Sequence, residues 1–138
     1  MTRFMISLDE GVELVWHAFK DMLGGEIYVK KIPSMNIMDI ANTIAPSATK
    51  TIIGIRPGEK LHEQMIGEED APYTYEYSDH YKILPQINNW NRDGNRIKNG
   101  KKVPDQFAYR SDTNSQWMTK EELATWLDDN QGEMEPSK

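Results

Sequence analysis

The stretch Gly54-Ile55-Arg56-Pro57-Gly58-Glu59-Lys60-Leu61-His62-Glu63 sets a guanidinium, a rigid turn and two carboxylates directly behind the apolar run Thr51–Ile55. Arginine offers five N–H donors in a planar fork that matches phosphate, and Pro-Gly makes a tight turn. If Thr51-Ile52-Ile53-Gly54-Ile55 is a strand, Arg56 projects from the carboxyl end of a sheet, the edge where open α/β sheets bind ligands. A helix over residues 59–66 would add backbone N–H groups and a partial positive charge at its start. Glu59 would then cap that helix or accept hydrogen bonds from a ribose diol. The plainer alternative is a surface turn with Glu59 and Glu63 on one helix face. The residues alone leave both readings open.

Other chemistry is thinly supported. The chain has no G-x-G-x-x-G, no G-x-x-x-x-G-K-[ST], no H-E-x-x-H and no G-x-S-x-G. Its three histidines, His17, His62 and His80, are scattered, so neither a metal site nor a catalytic residue is assigned. His62 reads as a solvated helix residue, His17 and His80 as structural. With no cysteine there is no disulfide framework and no thiolate nucleophile, which fits a cytoplasmic protein. No apolar run approaches membrane-spanning length and no signal-peptide pattern opens the chain.

The elements that would position Arg56 can be read from periodicity. Ser7 and Glu10 form a capping box ahead of Leu8, Val12, Val15, Phe19 and Leu23, which predicts an amphipathic helix over 8–23 ending at Gly24-Gly25. Residues 26–30 form a short strand stopped by Pro33, and Ser34 caps a second helix that ends near Pro46. With the strand at 51–55 and the helix at 59–66, the order is helix, strand, helix, strand, helix. That indicates α/β packing. Tyr73–Tyr77 and Tyr81–Leu84 pair as β segments with the tyrosines on one face, covering the core. From Gln86 to Asn114 the composition is Asn, Asp, Gly, Lys and Pro rich and mostly irregular, with Trp90 and Trp117 as anchors. Thr119 and Glu122 make a second capping box for a last helix. The organisation is residues 1–85 as one α/β domain, 86–130 as an irregular extension with a final helix, and 131–138 as a frayed tail.

The 138 residues suffice for one core, and the formal charge of -6 disfavours nucleic acid. Lys82, Arg92, Arg96, Lys98, Lys101 and Lys102 concentrate basic charge in one stretch, read first as a solvated face.

Several separated motifs carry a resemblance: residues Met1 to Val12 (MTRFMISLDEGV), Gly25 to Val29 (GEIYV), Ile32 to Met35 (IPSM) and Ile53 to Glu63 (IGIRPGEKLHE). In that order they resemble the carboxyl-terminal part of the inverting UDP-N-acetylglucosamine 4,6-dehydratases, extended short-chain dehydrogenase/reductases of pseudaminic acid and capsular polysaccharide pathways. The likeness covers residues 1 to about 85, and 86–127 more loosely. It implies a small α/β substrate domain without the Rossmann domain. In such enzymes the Rossmann domain holds NADP, a Tyr-x-x-x-Lys pair with Thr or Ser oxidises the sugar at C4, water leaves across C5 and C6, and the hydride returns to C6. The carboxyl-terminal part clamps the UDP moiety. By motif, Arg3 resembles the arginine near the diphosphate, Arg56 a second diphosphate arginine, and Glu59 the acid that meets the uridine ribose.

This chain departs from the family in lacking the glycine-rich loop and any Tyr-x-x-x-Lys pair. The resemblance therefore implies a UDP-sugar-binding portion that does not run the reaction alone, with NADP expected only in a full-length relative. The alternative is an interaction or oligomerisation module that kept the fold and lost the ligand. In that case the helices at 8–23 and 36–45 would meet a Rossmann-domain partner or a second copy. For Arg3, neutralising Asp9 or Glu10 is the alternative role.

Overall fold

A computed structural model describes residues 1–129; the expected frayed tail over 131–138 lies outside them. In chain order the elements are β1 (Thr2–Phe4), α1 (Leu8–Asp21), β2 (Ile27–Lys30), β3 (Ser34–Asn36), α2 (Ile37–Ile44), β4 (Gln64–Ile66), β5 (Thr74–Glu76), β6 (His80–Ile83), α3 (Gly94–Ile97), β7 (Lys101–Lys102), β8 (Tyr109–Arg110) and α4 (Lys120–Asp129). The chain is mixed α/β, and its contacts divide it into two units. One comprises residues 1–5, 33–63 and 111 onward; the other comprises 6–32 and 64–110.

The first unit is built on β1 and β3, paired antiparallel with Arg3 opposite Met35 and Phe4 opposite Ser34. Ser34 also donates to the Gln116 carbonyl and accepts from the Met118 amide, so the segment around Trp117 lies along β3. Ser34 is fully buried in this arrangement, and Asn36 caps the second helix instead, accepting from the Met38 amide at 2.9 Å. α2 packs against α4, with Met35 and Leu123 buried and an Asp39–Lys120 ion pair at 3.0 Å. The Thr119–Glu122 capping box forms in both directions, at 3.1 and 2.7 Å.

Two expected elements of this unit are absent. Residues 51–55 form no strand, and Ile52 and Ile53 are 87% and 71% exposed. β propensity describes fit to a neighbouring strand, and among the described residues none pairs with this segment. Residues 59–66 form no helix either, giving a turn and then β4. Eight residues make a marginal helix, and the Leu61 carbonyl is taken by the Thr2 amide at 2.9 Å.

In the second unit the Ser7–Glu10 box opens α1 as expected, the Glu10 amide donating to Ser7 and the Ser7 amide to Glu10. α1 buries no residue fully; Leu8, Trp16 and Phe19 are more than half exposed. Gly24 and Gly25 end it with positive φ, and a Cβ on Gly25 would approach the Pro85 ring to 2.9 Å. A four-stranded antiparallel sheet follows in the order β2-β6-β5-β7, and β4 pairs separately with β8.

The strand buried on both faces is β6, not 51–55. His80 and Lys82 point to one side of the sheet, Tyr81 and Ile83 to the other, and all four are buried. Tyr81 meets Phe107 and Tyr109, and the Tyr109 hydroxyl both donates to and accepts from the Ile32 backbone. On the opposite side Lys82, 1% exposed, reaches the Asp21 carboxylate and donates to the Arg96 carbonyl at 3.1 Å. Its ammonium also lies over the Tyr28 and Tyr77 rings. Tyr28 and Lys98 complete the set around Asp21. A second buried pair joins Arg96 to Glu26, and the Arg96 guanidinium stacks over Trp90 at 4.1 Å, so Trp90 does anchor its irregular segment.

Burial alone raises the Asp21 carboxyl, but hydrogen bonds from Lys82, Lys98 and Tyr28 outweigh it and hold the group far below the usual carboxylate range. A depressed carboxyl stabilises the fold above its unfolded value of 3.8, and that contribution is lost as pH falls below it. Asp21→Asn should therefore cost about 3 kcal/mol at pH 7, the lower end for breaking a buried ion pair. Urea denaturation should also show the variant losing less stability than wild type as pH falls below about 4. Equal stability at neutral pH would mean that Lys82 is satisfied without Asp21.

Candidate functional site

Arg3, Arg56 and Glu59 all fall in the first unit, on β1 and on the irregular segment 50–63. Around Arg56 the backbone closes a tight turn. The Glu59 amide donates to the Arg56 carbonyl at 3.0 Å, and the Arg56 amide donates to the Glu59 carboxylate at 3.0 Å. Pro57 followed by Gly58 at φ +85° suits this turn, because its third position needs the left-handed region that glycine adopts without cost. Glu59 thus caps a turn rather than a helix.

The Arg56 guanidinium is 70% exposed, and its Nε lies 3.9 Å from the Glu59 carboxylate. That separation in open solvent is a weak pairing, so the fork's N–H donors stay open to solvent. Glu59 stands three residues on with a half-open carboxylate, an acceptor suited to hydroxyls and unsuited to phosphate.

Arg3 is occupied differently. Its Nη1 donates to the Thr2 carbonyl at 2.7 Å and to Leu61 at 3.4 Å, its Nη2 to Lys60 at 3.0 Å, and its Nε lies 3.4 Å from Glu63. The partner is Glu63, not Asp9 or Glu10; Glu10 is used in the α1 cap. Arg3 therefore holds the carbonyls immediately behind the Arg56–Glu59 turn. The structure joins the two arginines through that stretch of backbone.

Beneath this grip lies a network with no local signature in the sequence. The Thr2 hydroxyl is 2.8 Å from His62 Nδ1 and 2.7 Å from the Ser111 hydroxyl, and Ser111 Oγ accepts from the Glu63 amide at 2.8 Å. The Ser111 amide returns a bond to the Glu63 carbonyl at 2.9 Å. His62 is half-buried here and bonded, not solvated on a helix. Thr2 and Ser111 are 109 positions apart, and only the fold brings them together.

Among the described residues no group of three or more His, Asp or Glu could hold a metal ion, and no helix is long and apolar enough to cross a membrane.

Residues 1–85 match the polysaccharide biosynthesis protein family. Over 137 aligned positions the chain is 45% identical to a UDP-N-acetylglucosamine 4,6-dehydratase (inverting) of Campylobacter jejuni subsp. jejuni serotype O:2, covering 96% of this chain and 41% of that protein. It is 37% identical over 87 positions to a UDP-glucose 4-epimerase of Rickettsia canadensis, covering 60% of this chain and 26% of the epimerase. The X-ray structure of Pen from Bacillus thuringiensis superposes with a TM-score of 0.77 at 29% identity, over 95% of this chain and 39% of that one. The chain thus spans well under half the length of these relatives.

The network predicts its own energetics. Ser111 is fully buried, and Ser111→Ala leaves the Glu63 amide and the Thr2 hydroxyl each one partner short. A loss of about 1–3 kcal/mol is expected in chemical denaturation, with faster hydrogen exchange at the Glu63 amide. Unchanged exchange there would show that the 60–63 backbone is held by something other than Ser111.

Proposed function

This chain belongs to the polysaccharide biosynthesis protein family, and from that premise we propose that it is the UDP-sugar-binding portion of a nucleotide-sugar 4,6-dehydratase working in the cytoplasm. The observation that carries the reading is the Arg56–Glu59 turn: an exposed guanidinium and a carboxylate on one closed turn, tethered from behind by Arg3. Arg56 grips a diphosphate oxygen, Glu59 accepts from a ribose hydroxyl, and Arg3 fixes the backbone that follows both. The two curated relatives named above differ in reaction but share UDP in their names, which supports assigning this turn to the nucleotide rather than to the sugar.

NADP belongs, in this reading, to the part of the relatives' length that this chain does not span. The residues here do not fit a dinucleotide. No glycine-rich strand-to-helix loop is present, and the start of α1 is capped by its own Ser7, which accepts from the Glu10 amide. What this chain's residues contribute to the reaction is binding and orientation of the UDP moiety; hydride transfer and elimination require the Rossmann-domain partner.

A second reading, an interaction module without ligand, is favoured by the apolar face of α1, where Leu8 is 84% and Phe19 62% exposed. One titration separates the two. Isothermal calorimetry with UDP and with UDP-N-acetylglucosamine should give comparable heats for both ligands. Arg56→Ala should weaken each by about 1.5–3 kcal/mol, the range for a charged hydrogen bond, or roughly 10- to 150-fold. No heat at millimolar UDP would leave the interaction module standing.

A further inference from the structure

In the second unit a cavity of about 480 Å³ is lined by residues including His17, Asp21, Lys31, Tyr77, His80 and Lys98. Its histidines come from different elements, His17 from the side of α1 that meets Tyr28 and His80 from β6. Their ring centres are 4.7 Å apart, with the planes tilted by 58°.

The two rings are prepared differently. His80 Nδ1 lies 2.9 Å from an Asp79 carboxylate oxygen. An ionised carboxylate only accepts, so Nδ1 carries a proton, and in the neutral ring Nε2 then carries the lone pair. That Nε2 is buried and has no hydrogen-bond partner. Burial pushes His80 below its ordinary value, against the opposing pull of Asp79. A buried acceptor without a donor is a costly arrangement that calls for a use.

Asp79 behind Nδ1 with a free Nε2 in front is the arrangement by which proteins orient a metal-ligating histidine. The ring spacing agrees with it. With metal–nitrogen bonds of about 2.0–2.1 Å and about 1.1 Å from nitrogen to ring centre, two imidazoles on one ion place their centres roughly 4.5–5.2 Å apart for angles between about 90° and 109°. The nearby ammonium groups each have a carboxylate partner, Asp21 shared by Lys82 and Lys98, and Glu76 for Lys31. No third His, Asp or Glu completes a set among the described residues, so the remaining positions fall to water or a small anion.

We propose that His17 and His80 form an open two-imidazole site for an ion of the imidazole-preferring first-row metals, nickel, copper or zinc, with Asp79 orienting His80 and the ion clipping α1 onto β6. Because such an ion would bind the folded chain and not the unfolded one, it raises thermal stability.

The test uses tag-free protein titrated with nickel chloride, with magnesium chloride as control, followed by calorimetry and thermal unfolding. One equivalent of nickel should bind and raise the melting temperature, and magnesium should do neither. His17→Ala, a change at an exposed position, should leave the metal-free melting temperature near wild type and abolish both nickel effects. Asp79→Asn should weaken nickel binding by roughly 10- to 100-fold. Absence of stoichiometric binding, or binding to His17→Ala as tight as to wild type, overturns the proposal.

Discussion

The irregular segment 50–63 forms no ladder and no helix of its own, so its position rests on what β1 offers it. Thr2 supplies an amide to the Leu61 carbonyl and a hydroxyl to His62, while Arg3 supplies its guanidinium to Lys60, Leu61 and Glu63. Two consecutive residues of one short strand, with Ser111, thereby hold the backbone at 60–63 that follows the Arg56–Glu59 turn. This explains why the two arginines read from the sequence do unlike work. Arg3 spends most of its donors on backbone carbonyls, which fixes geometry, whereas Arg56 keeps its donors in solvent, which suits a ligand. A site assembled this way is precise at its base and adaptable at its tip.

The second unit solves a different problem. Its short strands leave little apolar area on the His80/Lys82 side of the sheet, and charged groups fill that space instead: Lys82 with Asp21, Arg96 with Glu26. Buried pairs of this kind roughly offset their own desolvation, and they destabilise strongly when one member is lost. The aromatic rings of Tyr28 and Tyr77 around Lys82 lower that cost by facing the ammonium. The tyrosines that read as a hairpin cover therefore also serve as a lining for buried charge.

Features written in local chemistry were legible. Both capping boxes, Ser7 with Glu10 and Thr119 with Glu122, open helices where their spacing places them, and the runs at 27–30, 74–76 and 80–83 are strands. The Arg56–Glu59 turn was legible because an arginine followed by Pro-Gly is itself a local turn signal. What escaped depends on distant partners. Thr51–Ile55 has the composition of a buried strand, but a strand exists only beside another. Ser34 has the look of a cap, yet pairing with Phe4 and the segment near Trp117 claims it for β3. The Thr2–Ser111–Glu63 network joins residues 109 and 48 positions apart, and nothing within a few residues of any of them announces it.

The claim on which the functional reading turns is that a UDP moiety meets the Arg56–Glu59 turn. Backbone amide chemical shifts followed during addition of UDP test it most directly. The account predicts shifts concentrated at Arg56, Gly58 and Glu59, extending to Leu61 and His62 through the Arg3 grip, with β6 unmoved. Saturable shifts confined to other residues, or none at millimolar UDP, would contradict it.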